Sequence, residues 1–141
     1  MSQKEAILLL GSNLGDTKKN IENAIDLINS EINKVTHQSK YLETLPVEFV
    51  SSNNFCNIAV SIQTDDSPLS LLRKIKAIER KMGRDIDSKQ AGEYQDRMID
   101  IDIVKIGALN FISKDLEIPH HKHCFERDFS KELIEDLISK M

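Results

Sequence analysis

In the stretch RMIDIDIVKIG (residues 97–107), two carboxylates, Asp100 and Asp102, alternate with Ile99, Ile101 and Ile103. On an extended strand, residues two apart face the same way, separated by about 7 Å at roughly 3.4 Å per residue. The isoleucines then face a core, and the carboxylates converge on the opposite face. Two like charges this close repel and resist desolvation unless a cation lies between them. Carboxylate oxygens suit a hard divalent ion, and Mg2+ is typically held by one or two carboxylates together with substrate phosphates. The spacing therefore allows a Mg2+–nucleotide site. The competing reading is the solvated face of a half-buried sheet.

The surrounding residues favour the first reading. Arg97 immediately precedes the pair, Arg84 follows an apolar-striped segment, His120 follows Pro119, and Arg127 comes seven residues later. Four groups able to donate to phosphate beside two metal-binding carboxylates are the parts of a phosphoryl-transfer site. GSNLGD lacks the lysine of a P-loop, so it reads as a strand-to-helix turn. HHKHC offers His120, His121, His123 and Cys124, but structural zinc requires a second ligand cluster, and the chain has none. Of these, His120 is assigned to phosphate, and His121 and His123 to a solvated loop. An oxygen of Asp102 or a metal-bound group is left to take the substrate proton.

These residues need elements to hold them. KEAILLLGS reads as a buried strand at about 5–11, and Asp16 or Thr17 caps a helix carrying Ile21, Ala24, Ile25, Ile28 and Ile32 at helical spacing. A strand near 34–44 ends at Pro46, and another runs near 54–64. Ser67 caps a second helix with Pro68 in its first turn and Gly83 at its end. The aspartate strand follows, then an amphipathic helix at about 128–140. The order β-α-β-β-α-β is that of a ferredoxin-like α/β (α+β) domain. It has an antiparallel sheet, two helices on one face and an added C-terminal helix.

A chain of 141 residues suits one domain spanning 1–141. A net charge of −4 argues against binding nucleic acid through bulk charge. No apolar run is long enough to cross a bilayer, no leader sequence is evident, and two cysteines do not make a disulfide framework, so a cytoplasmic protein is expected. Nothing in the sequence points to an obligate protein partner.

Six blocks in this order resemble the 6-hydroxymethyl-7,8-dihydropterin pyrophosphokinase family of folate biosynthesis: LLLGSNLGD, YLETLPV, NNFCNIAV, LLRKIKAIERKMGR, DRMIDIDI and IPHHKHCFERDF, over about residues 7–129. The resemblance implies Mg2+-dependent transfer of the β- and γ-phosphates of ATP, together, to a pterin alcohol, with release of AMP. It also implies two Mg2+ ions on Asp100 and Asp102, with Arg84 and Arg97 on the phosphates. Glu79, Ile103, His120 and Arg127 would hold the nucleotide. Thr44, Leu45, Pro46, Val47, Phe55, Asn57 and Phe129 would form the pterin pocket, with Asn57 on the ring edge and the two phenylalanines on its faces. A stacked, amide-read pocket suits a flat heterocycle rich in hydrogen-bonding groups.

The chain departs from the family pattern in five places: the loop between Arg84 and Arg97 is slightly longer, a second Arg often found just after Arg84 is absent, and three further differences follow. Gln95-Asp96 stands where the family usually has Gly-Pro, HHKHCFER carries about one extra residue, and the family's segment after R-x-F has no clear counterpart. The polar stretch 85–96 is expected to close over bound nucleotide. Two rival readings are a non-catalytic ferredoxin-like module that binds nucleotide or pterin, and a different Mg2+-dependent nucleotide enzyme on the same scaffold.

Overall fold

The computed structural model describes residues 3–44, 55–83 and 98–141. Its central strand is β1 (Lys4–Ser12), buried without a break from Ala6 to Ser12. A strand covered on both faces reads as a continuous apolar run, not an alternating one, which is why this segment is AILLLG. On one side β1 pairs antiparallel with β4 (Phe55–Thr64), and on the other with β5 (Asp100–Ile106). Outside β4 lie β2 (Val35–Gln38) and β3 (Leu42–Thr44), giving the order β2-β4-β1-β5 with β3 also on β4. This is the antiparallel order expected of the split βαβ pattern.

Two helices cover one face. α1 (Thr17–Glu31) starts where the Asp16 carboxylate accepts from Lys19 N at 3.2 Å, and it buries Ile21, Ala24, Ile25 and Ile28. α2 (Pro68–Lys81) starts where Ser67 Oγ accepts from Ser70 N at 3.2 Å, and it buries Leu71, Ile75 and Ile78. Both stripes pack on Leu8, Leu10, Ile58, Val60, Ile99, Ile101 and Ile103. Each fully buried Leu or Ile contributes roughly 1.5–3 kcal/mol, so this layer is the main source of stability. Gly83, at φ 98, takes the left-handed turn that ends α2.

The third helix, α3 (Asp128–Ser139), lies on the opposite face, where Leu133 and Leu137 pack on Ile7, Leu9, Ala59 and Val104. It covers only part of that face, leaving one end of β4, β1 and β5 for chemistry.

Three features differ from the sequence expectation. The strand expected over 34–44 is two strands, broken at Ser39. There the backbone N donates to Ala59 O at 2.9 Å, and Oγ accepts from Ala59 N at 2.9 Å. After β5 comes a short hairpin, β6 (Phe111–Ile112) and β7 (Glu117–Ile118). A π-turn over Lys122–Glu126 leads into α3, closed by Arg127 N donating to Lys122 O at 2.8 Å. An i→i+5 bond takes up one residue more than an α-turn.

Candidate active site

The open end of the sheet is organised around β1. Gly11 stands opposite Asn57 on β4 and opposite Asp100 on β5, so these side chains share one face. Leu9 stands opposite Asp102 and packs under α3, which puts Asp102 on that face too, beside the helix. The two carboxylates therefore share a face as the alternation required. Ile101 and Ile103 are buried on the other side.

A cleft of about 840 Å³ opens beside β5, between α2, the β6–β7 hairpin and the π-turn. It brings together Asp100, Asp102, Ile103, His120 and Arg127, with Lys76 on the α2 wall. The side chain of Ile103 is in the core, so only its backbone can meet a ligand.

Glu79 does not line this cleft. Its side chain is 2% exposed, with Oε2 accepting from Ile101 N at 2.9 Å and Oε1 at 3.5 Å from Lys76 Nζ. Glu79 thus anchors the outer edge of β5 to α2, between the two aspartates. The sequence expectation for Glu79 is a part in holding the nucleoside; in the structure its side chain bonds the edge of β5.

His123 requires a correction. Read as a solvated loop residue, it is 2% exposed, because the π-turn rolls its ring inward. Nε2 lies 2.7 Å from Asp102 Oδ2, and Nδ1 lies 2.6 Å from the buried Ser130 Oγ. His121 is exposed, as expected. The rings of His120 and His123 lie 4.2 Å apart, tilted by 37°. Burial, the nearby His123 and Arg127 push the His120 imidazole below its usual pKa, against the pull of Asp102. His120 Nδ1 accepts from His123 N at 3.4 Å, so the neutral ring carries its hydrogen on Nε2. For Asp102, burial opposes ionisation. The hydrogen bond and charge of His123, with His120 and Arg127, outweigh it and hold the carboxyl below the usual range.

On the β4 side, Phe55 begins the strand opposite Thr44, and Asn57 is 5% exposed with Nδ2 donating to Leu42 O at 3.4 Å. Phe129 is partly buried against the α3 cluster, its ring edge-on to His123 at 6.2 Å between centroids. Arg84, Arg97, Leu45, Pro46, Val47, the side chain of Thr44 and the 85–96 stretch lie outside the described residues. Sequence reasoning missed Gly11, Lys76, His123 and Ser130. Helical spacing from Leu72 to Lys76 could have flagged the lysine; no periodic signal marks the other three.

The chain matches the sequence model of the 7,8-dihydro-6-hydroxymethylpterin-pyrophosphokinase family over residues 7–139. It is 34% identical over 131 residues to a 2-amino-4-hydroxy-6-hydroxymethyldihydropteridine pyrophosphokinase of Porphyromonas gingivalis, covering 92% of this chain and 88% of that one. It is 32% identical over 125 residues to the protein of that name from Bacillus subtilis, covering 88% and 72%. Its fold is similar to a crystal structure of Plasmodium falciparum HPPK-DHPS with pteroate. There the TM-score is 0.71 at 17% identity, covering 96% of this chain and 40% of that one.

Proposed function

The chain belongs to the 7,8-dihydro-6-hydroxymethylpterin-pyrophosphokinase family, and from that premise we propose that it transfers the terminal diphosphate of ATP to the hydroxymethyl group of 6-hydroxymethyl-7,8-dihydropterin, releasing AMP. The alcohol oxygen attacks the β-phosphorus as the bond from that phosphorus to the α–β bridging oxygen breaks. The displaced bridging oxygen leaves on AMP, and the alcohol proton passes to solvent water. The observation that carries this reading is the convergence of Asp100, Asp102, His120 and Arg127 on one cleft beside β5.

The donor set fits Mg2+: two carboxylates on one strand face, one of them held ionised, beside groups that donate to phosphate. Asp100 and Asp102 would hold two Mg2+ ions, whose charge would supply neutralisation of the transferred phosphates. His120, neutral, donates to a phosphate oxygen from Nε2, and Arg127 supplies a fixed positive charge. Arg84 and Arg97 meet the phosphates from the segment that joins α2 to β5.

The edge of β5 serves the nucleoside. Ile101 N points outward to Glu79, and backbone groups two residues on point the same way, so Ile103 offers its N–H and C=O to the nucleoside. The pterin lies across Gly11, with Asn57 on its edge and Phe55 and Phe129 on its faces, and the resemblance assigns residues 44–47 to the same pocket. Catalysis rests mainly on alignment and charge neutralisation.

Residues 1–141 act as one domain, with ATP and the pterin as small-molecule substrates. Cys56 and Cys124 are free thiols, which suits work in the reducing cytoplasm. Among the described residues no helix is long and apolar enough to cross a membrane. Phosphorus NMR of the reaction mixture tests the chemistry: AMP and a pterin diphosphate ester should form in equal amounts. ADP with a monophosphate ester would contradict it.

A further inference from the structure

We propose that His123 and Ser130 are positioning residues that fix the Asp102 carboxylate for its cation, an inference that rests on Asp102 being a metal ligand as proposed above. His123 is 2% exposed and Ser130 is fully buried, so neither group has water to satisfy it. An unsatisfied buried imidazole is costly, and here both nitrogens are engaged: Nε2 at 2.7 Å from Asp102 Oδ2 and Nδ1 at 2.6 Å from Ser130 Oγ.

The direction of the chain of bonds follows from chemistry. An ionised carboxylate only accepts, so Nε2 donates to it. At the other nitrogen, Nδ1, the Ser130 hydroxyl can turn to donate or accept, so it completes the line at 2.6 Å. Ser130 stands in the first turn of α3, His123 in the π-turn and Asp102 on β5, so three elements meet in one line of hydrogen bonds.

The line has a use beyond satisfying its own members. The terminal torsion of an aspartate is broad, so its carboxylate turns freely unless held. His123 occupies one lone-pair direction of Oδ2 and thereby sets the carboxylate plane, leaving the other directions to the cleft, into which Asp102 is 33% exposed. Groups bonded to metal ligands from behind orient them in this way, and their loss typically costs about 10- to 100-fold in metal affinity.

A rival role for the same ring is direct ligation. Asp102, His120 and His123 each offer a ligand atom, all within 4.8 Å of one another, and imidazole nitrogens suit Co2+ or Zn2+. Both nitrogens of His123 are engaged, which favours positioning.

The test is Mn2+ titration followed by electron paramagnetic resonance, in the presence of a non-hydrolysable ATP analogue. It compares the parent with Asp102→Asn, His123→Leu, His123→Gln and Ser130→Ala, each checked for folding by circular dichroism. Asp102→Asn and His123→Leu should each weaken Mn2+ by about 10-fold or more. His123→Gln can offer an amide N–H where Nε2 stood and should recover to within about threefold of the parent. Ser130→Ala should fall between them.

Parental Mn2+ affinity in folded His123→Leu, with loss in Asp102→Asn, would overturn the positioning role and leave the metal assignment standing. Parental affinity in Asp102→Asn would overturn both. If His123→Leu does not fold, parental affinity in Ser130→Ala overturns the proposal. A visible Co2+ absorption band that disappears in His123→Gln would make His123 a ligand instead.

Discussion

A Cβ on Gly11 would stand 2.9 Å from Oδ1 of Asn57, across the β1–β4 ladder. That is closer than side-chain carbons tolerate, and Phe55 Cδ1 follows at 3.4 Å. Gly11 is not among the glycines with positive φ, so an alanine there meets no backbone strain. Its whole effect is to push the two residues assigned to the pterin. Gly11→Ala should therefore lower pterin affinity by roughly 10-fold, about 1.4 kcal/mol, with nucleotide affinity unchanged. Calorimetric titration with each ligand separates the two. Unchanged pterin affinity would remove Asn57 and Phe55 from the pocket.

Asn57→Ala tests the same pocket without adding bulk. A ring edge left unpaired should cost about 1–3 kcal/mol, or roughly 5- to 150-fold in pterin affinity. Binding of a non-hydrolysable MgATP analogue should not change. A variant that binds pterin as the parent does would show that the ring edge is read elsewhere.

Asp100→Ala and Asp102→Ala should both nearly abolish turnover, but they should differ in stability. Asp102→Ala takes the acceptor from a buried imidazole N–H, a loss of about 1–3 kcal/mol. Urea denaturation at pH 7 without Mg2+ should show that loss. Parental stability in Asp102→Ala would mean that the His123 bond contributes nothing to the fold.

Acid should loosen the attachment of α3 to the segment between β2 and β3. Asp136 accepts from Lys40 N at 2.8 Å and pairs with Lys140 at 2.9 Å, and these bonds hold its carboxyl below the ordinary 3.8. A depressed folded pKa stabilises above the unfolded value, and the contribution is lost as pH falls through the folded one. The urea midpoint of the parent should exceed that of Asp136→Asn at pH 6–7, and the gap should close below about pH 3.8. A gap that persists at pH 2 would assign the stabilisation to packing instead.

Much of this was legible because it is periodic. The three- and four-residue steps of α1 and α2, and the two-residue step of β5, each mark a face that must be buried, and the order of elements follows. The Asp100–Asp102 face needed no further information. What escaped has no period. The break at Ser39 is a single side chain bonded to Ala59 of the neighbouring strand, and β6 and β7 have two residues each, too few to alternate. A five-residue π-turn decides that His123 points inward while His121 points out, and nothing within HHKHC distinguishes them. That Glu79 bonds the edge of β5 was not legible, because that edge is distant in sequence.

The central claim is that this cleft moves a diphosphate from ATP to a pterin alcohol through Asp100 and Asp102. AMP release measured with MgATP, with and without 6-hydroxymethyl-7,8-dihydropterin, tests it most directly when the parent is run beside Asp102→Ala. The account predicts AMP only when the pterin is present, and almost none from the variant at saturating Mg2+. AMP release that ignores the pterin, or that survives in Asp102→Ala, would contradict it.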